Sequence, residues 1–467
     1  MSERMPRPAG TGSRRSRRGL ALSVLIVNQL LAGIGVATGM ALAAILVADL
    51  TGVVAMGGLA QSASVLGAAI VAIPLARLAV RSGRHVALAA GYGLAAVGAL
   101  LVVAAATSGW VVLVFVGLAA FGAAAAAGLQ ARFAATEVAA PGFEARSMSL
   151  VLWATTIGSV AGPLLSETGD RVGAAFGLPH LVGSFVFSAV AFATSTLLVA
   201  TLLRMPRAGV LETDAIPDAA GGPVDPVPGL VGVAPDPGAG SAAGAEVAAP
   251  AADPAAGAGA ADAPGQKPVG SFAALRAASR SPRSLFAILA VVCSHTVMVG
   301  VMVMTPIHMT QHGMSLNLVG LVLSIHILGM YGASPLMGWL VDRVGSVRVI
   351  LLGVAILVVA AVIGILAPGG DVIFVPLALG LLGLGWSAGM IGGSTLLTTS
   401  VDARLRVPLQ GATDAAMNVA AAASAALSGL VLGAFGFAGV NMVALLVLVP
   451  LAVVGLRMAM LRRAVSA

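Results

Sequence analysis

Gly338-Trp-Leu-Val-Asp342-Arg343-Val-Gly345 is the stretch on which the reading of this chain turns. It follows a long apolar run, Leu316 to Leu336, and precedes another, Val349 to Leu366. Two such runs joined by so short a charged turn must lie side by side and antiparallel. Gly338 would let the two helices approach closely. Asp342 and Arg343 suit a polar turn at the face of a bilayer. Gly345 is able to take the positive φ that ends a helix.

The rest of the composition agrees with a membrane setting. Hydrophobic residues make up 59% of the 467, charged residues only 9%, and mean hydropathy is +1.03. A soluble fold cannot hide that much apolar surface, so the chain reads as a polytopic, all-α membrane protein. About 20 apolar residues cross a bilayer as a helix. Spans are expected at 20–46, 54–76, 86–107, 110–131, 148–166 and 180–203, then at 285–306, 316–337, 347–367, 373–398, 409–434 and 439–459. The short alternating segments of a β-barrel do not occur. Cys293, the single cysteine, lies inside an apolar run and excludes a disulfide framework within one chain.

Basic residues set the orientation. With the N-terminus in the cytoplasm, only Arg171 of the 25 lysines and arginines falls on the outer side. The net charge of +7 is therefore a mark of topology and does not point to nucleic acid. The expected order is a basic tail (1–19), a six-span half (20–204), a linker (205–284), a second six-span half (285–460) and a short tail (461–467), with both termini cytoplasmic. Ala208 to Pro268 is rich in Ala, Gly, Pro and Asp, lacks aromatic residues and reads as a disordered acidic tether. Ser271 to Arg283 is basic and suits a short amphipathic helix on the inner membrane surface.

The Gly-x-Leu-x-Asp-Arg-x-Gly pattern resembles the loop signature of the major facilitator superfamily of secondary transporters. The equivalent first-half turn, Ala76 to His85, keeps Arg81, Gly83 and Arg84 but has Ala76 for the first glycine and Val80 for the aspartate. The resemblance implies twelve spans in two pseudo-symmetric six-helix halves. It also implies a cytoplasmic gate at Gly338, Asp342, Arg343, Gly345, Arg81, Gly83 and Arg84. Asp342 would carry the surviving latch, with Arg146 as its expected partner. In the fifth span, Gly158-Ser-Val-Ala-Gly162-Pro163 resembles the Gly-x-x-x-Gly-Pro signature of the exporter branches, where proton antiport drives drug efflux. Leu118 stands where those exporters often carry an arginine. The family's cavity-lining spans map onto Asn28, Gln29, Phe121, Gln130, His295, Met298 and Trp386.

Ionisable groups inside spans are costly and are functional candidates by default. Asp414 shares one helix face with Gln410 and Asn418, at i, i+4 and i+8. Such a carboxylate is either a proton site or the ion-pair partner of Arg81. His295 and His326 are further proton-coupling candidates, each weighed against a neutral buried role. Met298, Met302 and Met309 read as packing. The sequence holds no phosphate-binding Gly-x-x-x-x-Gly-Lys-Ser/Thr loop, no paired catalytic carboxylates and no Cys/His metal cluster. The expectation is a monomeric plasma-membrane transporter without cofactor or metal, exporting a small apolar or amphipathic compound in exchange for protons. An importer or facilitator of a metabolite is the first alternative, and a non-transporting membrane sensor or scaffold the second.

Overall fold

The computed structural model describes residues 11–139, 144–203, 271–367 and 371–466. The expected tether, 208–268, lies outside them, as do residues 1–10 of the basic tail and the side chain of Arg146. Among the described residues every regular element is a helix. Helices α1 (Thr11–Thr51), α2 (Val54–Ser82) and α3 (Arg84–Ser108) are the first three spans. The fourth is α4 (Val111–Phe121) followed by α5 (Ala123–Val138), the fifth is α6 (Glu144–Leu164), and the sixth is α8 (Gly183–Leu202). A short helix, α7 (Ser166–Ala175), sits between the fifth and sixth.

The second half opens with α9 (Ser271–Ala278), whose Ala274 and Ala278 are buried. The seventh span is α10 (Pro282–Gln311). The eighth is α11 (Leu316–Ile327), a π-helical turn (Leu328–Gly332) and α12 (Ser334–Val344). Then come α13 (Ser346–Leu366), α14 (Phe374–Thr399) and α15 (Ala403–Ser466). Eleven helical stretches among the described residues are long and apolar enough to cross a bilayer. The backbone of the last leaves helical geometry at Gly436 (φ 66°, ψ −170°), which divides it into the eleventh and twelfth spans. Leu66, Ile70, Val112, Val190, Leu197, Leu430 and Leu446 are exposed on the outside of the bundle, as lipid contact requires.

The two signature turns share one backbone shape. Gly83 has φ 96° and ψ 155°, and Gly345 has φ 87° and ψ 149°. That region is essentially closed to residues with a Cβ. The pseudo-symmetry of the halves is thus visible even where the first turn has lost its aspartate. We call the side bearing these turns the signature face and the other the far face.

Each half is packed through small residues. In the first, α1 and α6 nearly touch backbone to backbone. A Cβ on Gly158 would run into the Leu30 carbonyl, and one on Gly162 would lie 2.7 Å from the Ala37 Cβ. Thr38 fastens the seam by donating its hydroxyl to the Gly162 carbonyl at 2.9 Å. Small residues earn no hydrophobic premium in lipid, but they maximise van der Waals contact and bring carbonyls within reach of hydroxyls.

Candidate functional site: a cavity closed at the far face

The halves meet at the far-face side of the bundle. The Ser62 hydroxyl on α2 donates to the Ala422 carbonyl on α15 at 2.9 Å, and Ser324 on α11 donates to the Val160 carbonyl on α6 at 2.7 Å. A Cβ on Gly320 would collide with the Pro163 carbonyl, and one on Gly58 with the Ala425 carbonyl. A further hydrogen bond between the halves comes from α7, where Glu167 Oε2 accepts from the Asn317 backbone N–H at 3.1 Å. That amide belongs to the first turn of α11, so the carboxylate also meets the positive end of the helix dipole. The signature face carries charged side chains from both halves. Asp342, Arg343 and Arg81 are exposed there, and Arg343 lies over the Trp339 ring with its Cζ 5.0 Å from the centroid.

Glu167 is held in place by its own helix. Arg171, one turn on, donates to Glu167 Oε1 at 2.8 Å. Asp170 anchors α7 to the following strap, accepting from the Leu181 N–H at 2.6 Å and pairing with His180 Nδ1 at 2.8 Å. Glu167→Gln keeps the shape and removes the charge that the helix end favours. Opening of the far face should become about threefold easier, since an exposed interaction of this kind is worth about 1 kcal/mol or less. Labelling of a cysteine at Ser159 by a membrane-impermeant reagent applied to that face reads the change. An unaltered rate would remove Glu167 from the closure.

Behind this closure lies a cavity of about 760 Å³, counting the solvent it opens on. Its walls come from both halves: Val36, Met40 and Ala44 on α1, Gln61 on α2, Ser159 and Pro163 on α6, Met298, Met302 and Pro306 on α10, Leu323 and Ile327 on α11, and Met330 and Tyr331 on the π turn. Four of these are methionines, whose flexible thioethers adapt to varied apolar shapes. Gln61, Ser159 and Tyr331 supply polarity, and among the described residues no charged side chain lines the wall. A narrow recess adjoins it through Val36, Met40 and Gln61 and reaches Phe121. Phe121 packs edge-on against Phe192, with centroids 5.2 Å apart.

The residues singled out in the sequence fall in several places. Met298 lines the main cavity together with Met302, and Phe121 lines the adjoining recess, whereas Met309 is buried away from both. Trp386 lies behind Tyr331, edge-on with centroids 5.7 Å apart, and its indole N–H donates to His295 Nδ1 at 3.0 Å. Gln29 holds a buried polar knot: it donates to Thr155 Oγ1 at 3.0 Å and accepts from the Tyr92 hydroxyl at 2.6 Å and from Asn28 at 3.3 Å. Gln130 accepts from Arg84 at 2.7 Å, and Arg84 also pairs with Glu137, tying α3 to α5. Of the Gly158-x-x-x-Gly162-Pro163 stretch, the glycines face α1 while Pro163 reaches the cavity.

His326 Nδ1 sits 2.8 Å from the Leu379 carbonyl, which can only accept, so this nitrogen carries the proton. On α15, Gln410 is exposed, Asp414 is half-buried and Asn418 is buried with Nδ2 donating to the Asp414 carbonyl at 2.9 Å. Asp414 forms no ion pair with Arg81. The two lie on different halves, Arg81 on α2 and Asp414 on α15.

Sequence reasoning passed over Met40, Gln61, Met330, Tyr331 and Glu167. Only Glu167 left a signal, since Glu167 and Arg171 stand at the i, i+4 spacing of a helix.

Two helical bundles with a cavity walled by both suit a membrane transporter. The chain belongs to the Major Facilitator Superfamily, whose profile matches residues 25–316 and 287–466. It is 32% identical over 422 residues to YdeG of Bacillus subtilis, an uncharacterised MFS-type transporter, covering 90% of this chain and 88% of that one. Over 176 residues it is 34% identical to the riboflavin transporter RfnT of Brucella anthropi, which spans 37% of this chain and 44% of that protein. The nucleoside transporter NupG shares the fold, with a TM-score of 0.66 at 14% identity, covering 95% of this chain and 99% of NupG.

Proposed function

We propose that this transporter exports a small, uncharged, largely apolar compound from the cytoplasm in exchange for protons. The cavity carries the reading. Its wall is methionine-rich and without charge, which suits neutral, polarisable molecules and leaves an ionic substrate unpaired. The distribution of arginines supports a cytoplasmic signature face, with both termini on that side. On that assignment the conformer is closed to the outside and is ready to load from the cell interior. The Gly158-to-Pro163 stretch supports export through its likeness to the exporter signature. The plasma membrane is the expected site, and the walls drawn from both halves of one chain support a monomer. The partial likeness to RfnT makes flavin-like heteroaromatics the first compounds to try.

Asp414 is the proposed proton carrier. Its carboxylate has no hydrogen bond or ion pair among the described residues, and its half-burial changes as the halves rock. A carboxylate moved between wet and dry surroundings releases a proton in one and takes it up in the other. In proteoliposomes, a pH gradient should drive net efflux of riboflavin or a related neutral heteroaromatic. Asp414→Asn should abolish that gradient-driven flux and keep passive counterflow. Gradient-driven flux equal to the unaltered protein's would exclude Asp414 as the carrier. Net uptake under the same gradient would favour the importer reading instead.

A further inference from the structure

His295 offers a hydrogen-bond donor that no described residue accepts. Trp386 Nε1 can only donate, so His295 Nδ1, at 3.0 Å, must be the bare nitrogen. The proton of the neutral ring is then on Nε2. That atom is fully buried and has no partner, in a residue 3% exposed. Protonating both nitrogens would set two N–H groups against each other and break the Trp386 bond. A buried donor without an acceptor costs roughly 1–3 kcal/mol, so it persists where a ligand supplies the acceptor.

Its position fits that use. His295, Met298, Met302 and Pro306 stand at i, i+3, i+7 and i+11 on α10, hence on one face, and the last three line the cavity. Trp386, which fixes the tautomer, is itself packed against the cavity residue Tyr331.

We infer that His295 is a substrate-binding residue whose Nε2–H selects neutral aromatic compounds bearing a hydrogen-bond acceptor, such as a ring nitrogen or a carbonyl. The inference rests on the reading of the cavity as the substrate site. A site built to satisfy a buried donor discriminates strongly against a ligand lacking the acceptor, because the donor is then left unpaired.

Quinoline and naphthalene test this, being alike in shape, neutral at pH 8, and different by one acceptor nitrogen. Replacing Trp110, Trp153 and Trp339 with Phe in the full chain leaves Trp386 as the only tryptophan, and its emission reports binding in nanodiscs. Quinoline should bind about tenfold more tightly than naphthalene, relative to the ratio in His295→Leu. His295→Gln should keep the preference, because the amide can accept from Trp386 and still donate to the ligand. A ratio unchanged between the parent and His295→Leu, with melting temperatures alike, overturns the assignment while leaving the cavity reading intact. Absence of saturable quenching by either compound defeats the cavity reading, and this inference with it.

Discussion

Gly320→Leu should hold the far face open and lower transport about a hundredfold, with little change in melting temperature. Gly320 begins the approach of α11 to α6, and a Cβ there would collide with the Pro163 carbonyl. Forcing extra atoms into a close-packed contact costs typically 1–3 kcal/mol. Backbone cannot move aside as a side chain can, so the upper part of that range applies. The contact lies between halves that must separate in each cycle. The protein therefore relieves the clash by remaining open, and about 3 kcal/mol of bias is roughly a hundredfold in the equilibrium between states. Spin labels at the exposed Phe176 and Val372, one on each half at the far face, should show the longer distance as the major population. A distance distribution like that of the unaltered protein, with normal transport, would show that the seam yields locally and does not gate.

Gly158→Leu should act differently, by unmaking the first half. Here the obstacle is the Leu30 carbonyl on α1, within the same six-helix bundle. No step of the cycle parts α1 from α6, so rocking cannot relieve the clash. The loss of about 3 kcal/mol should fall on stability, seen as a lower melting temperature and poorer yield of folded protein. The two substitutions introduce the same side chain against the same kind of atom. Their contrast separates a seam that moves from one that does not. Equal losses of melting temperature in both would erase the distinction drawn between the two seams.

The sequence disclosed the fold far more fully than the site. Span positions follow from apolar run length alone, because a bilayer demands about 20 residues whatever their neighbours. Gly345 announced its positive φ by its place after a charged turn. Side-chain partners are another matter, since they depend on helix rotation and tilt. Gln130 maps to a cavity-lining span by number, but its hydrogen bond with Arg84 could not be read from that. Gln61 gave no sign, standing among small residues on a span that the resemblance did not mark as cavity-lining. The opposite chemistries of His295, whose Nδ1 accepts, and His326, whose Nδ1 donates, were invisible without the atoms beside them.

Met330 and Tyr331 were missed for a reason of their own. Read as one continuous α-helix, the eighth span has a single phase from end to end. Its π turn takes up one residue more than an α turn would, and each residue on an α-helix advances by about 100°. The two pieces are therefore out of step: α11 is keyed to the far-face seam through Gly320 and Ser324, while α12 keeps its own azimuth towards Asp342 and Arg343. The slip occurs where Met330 and Tyr331 enter the cavity wall. The angular setting of each face can thus drift by substitution without disturbing the other, whereas the number of residues between them is fixed.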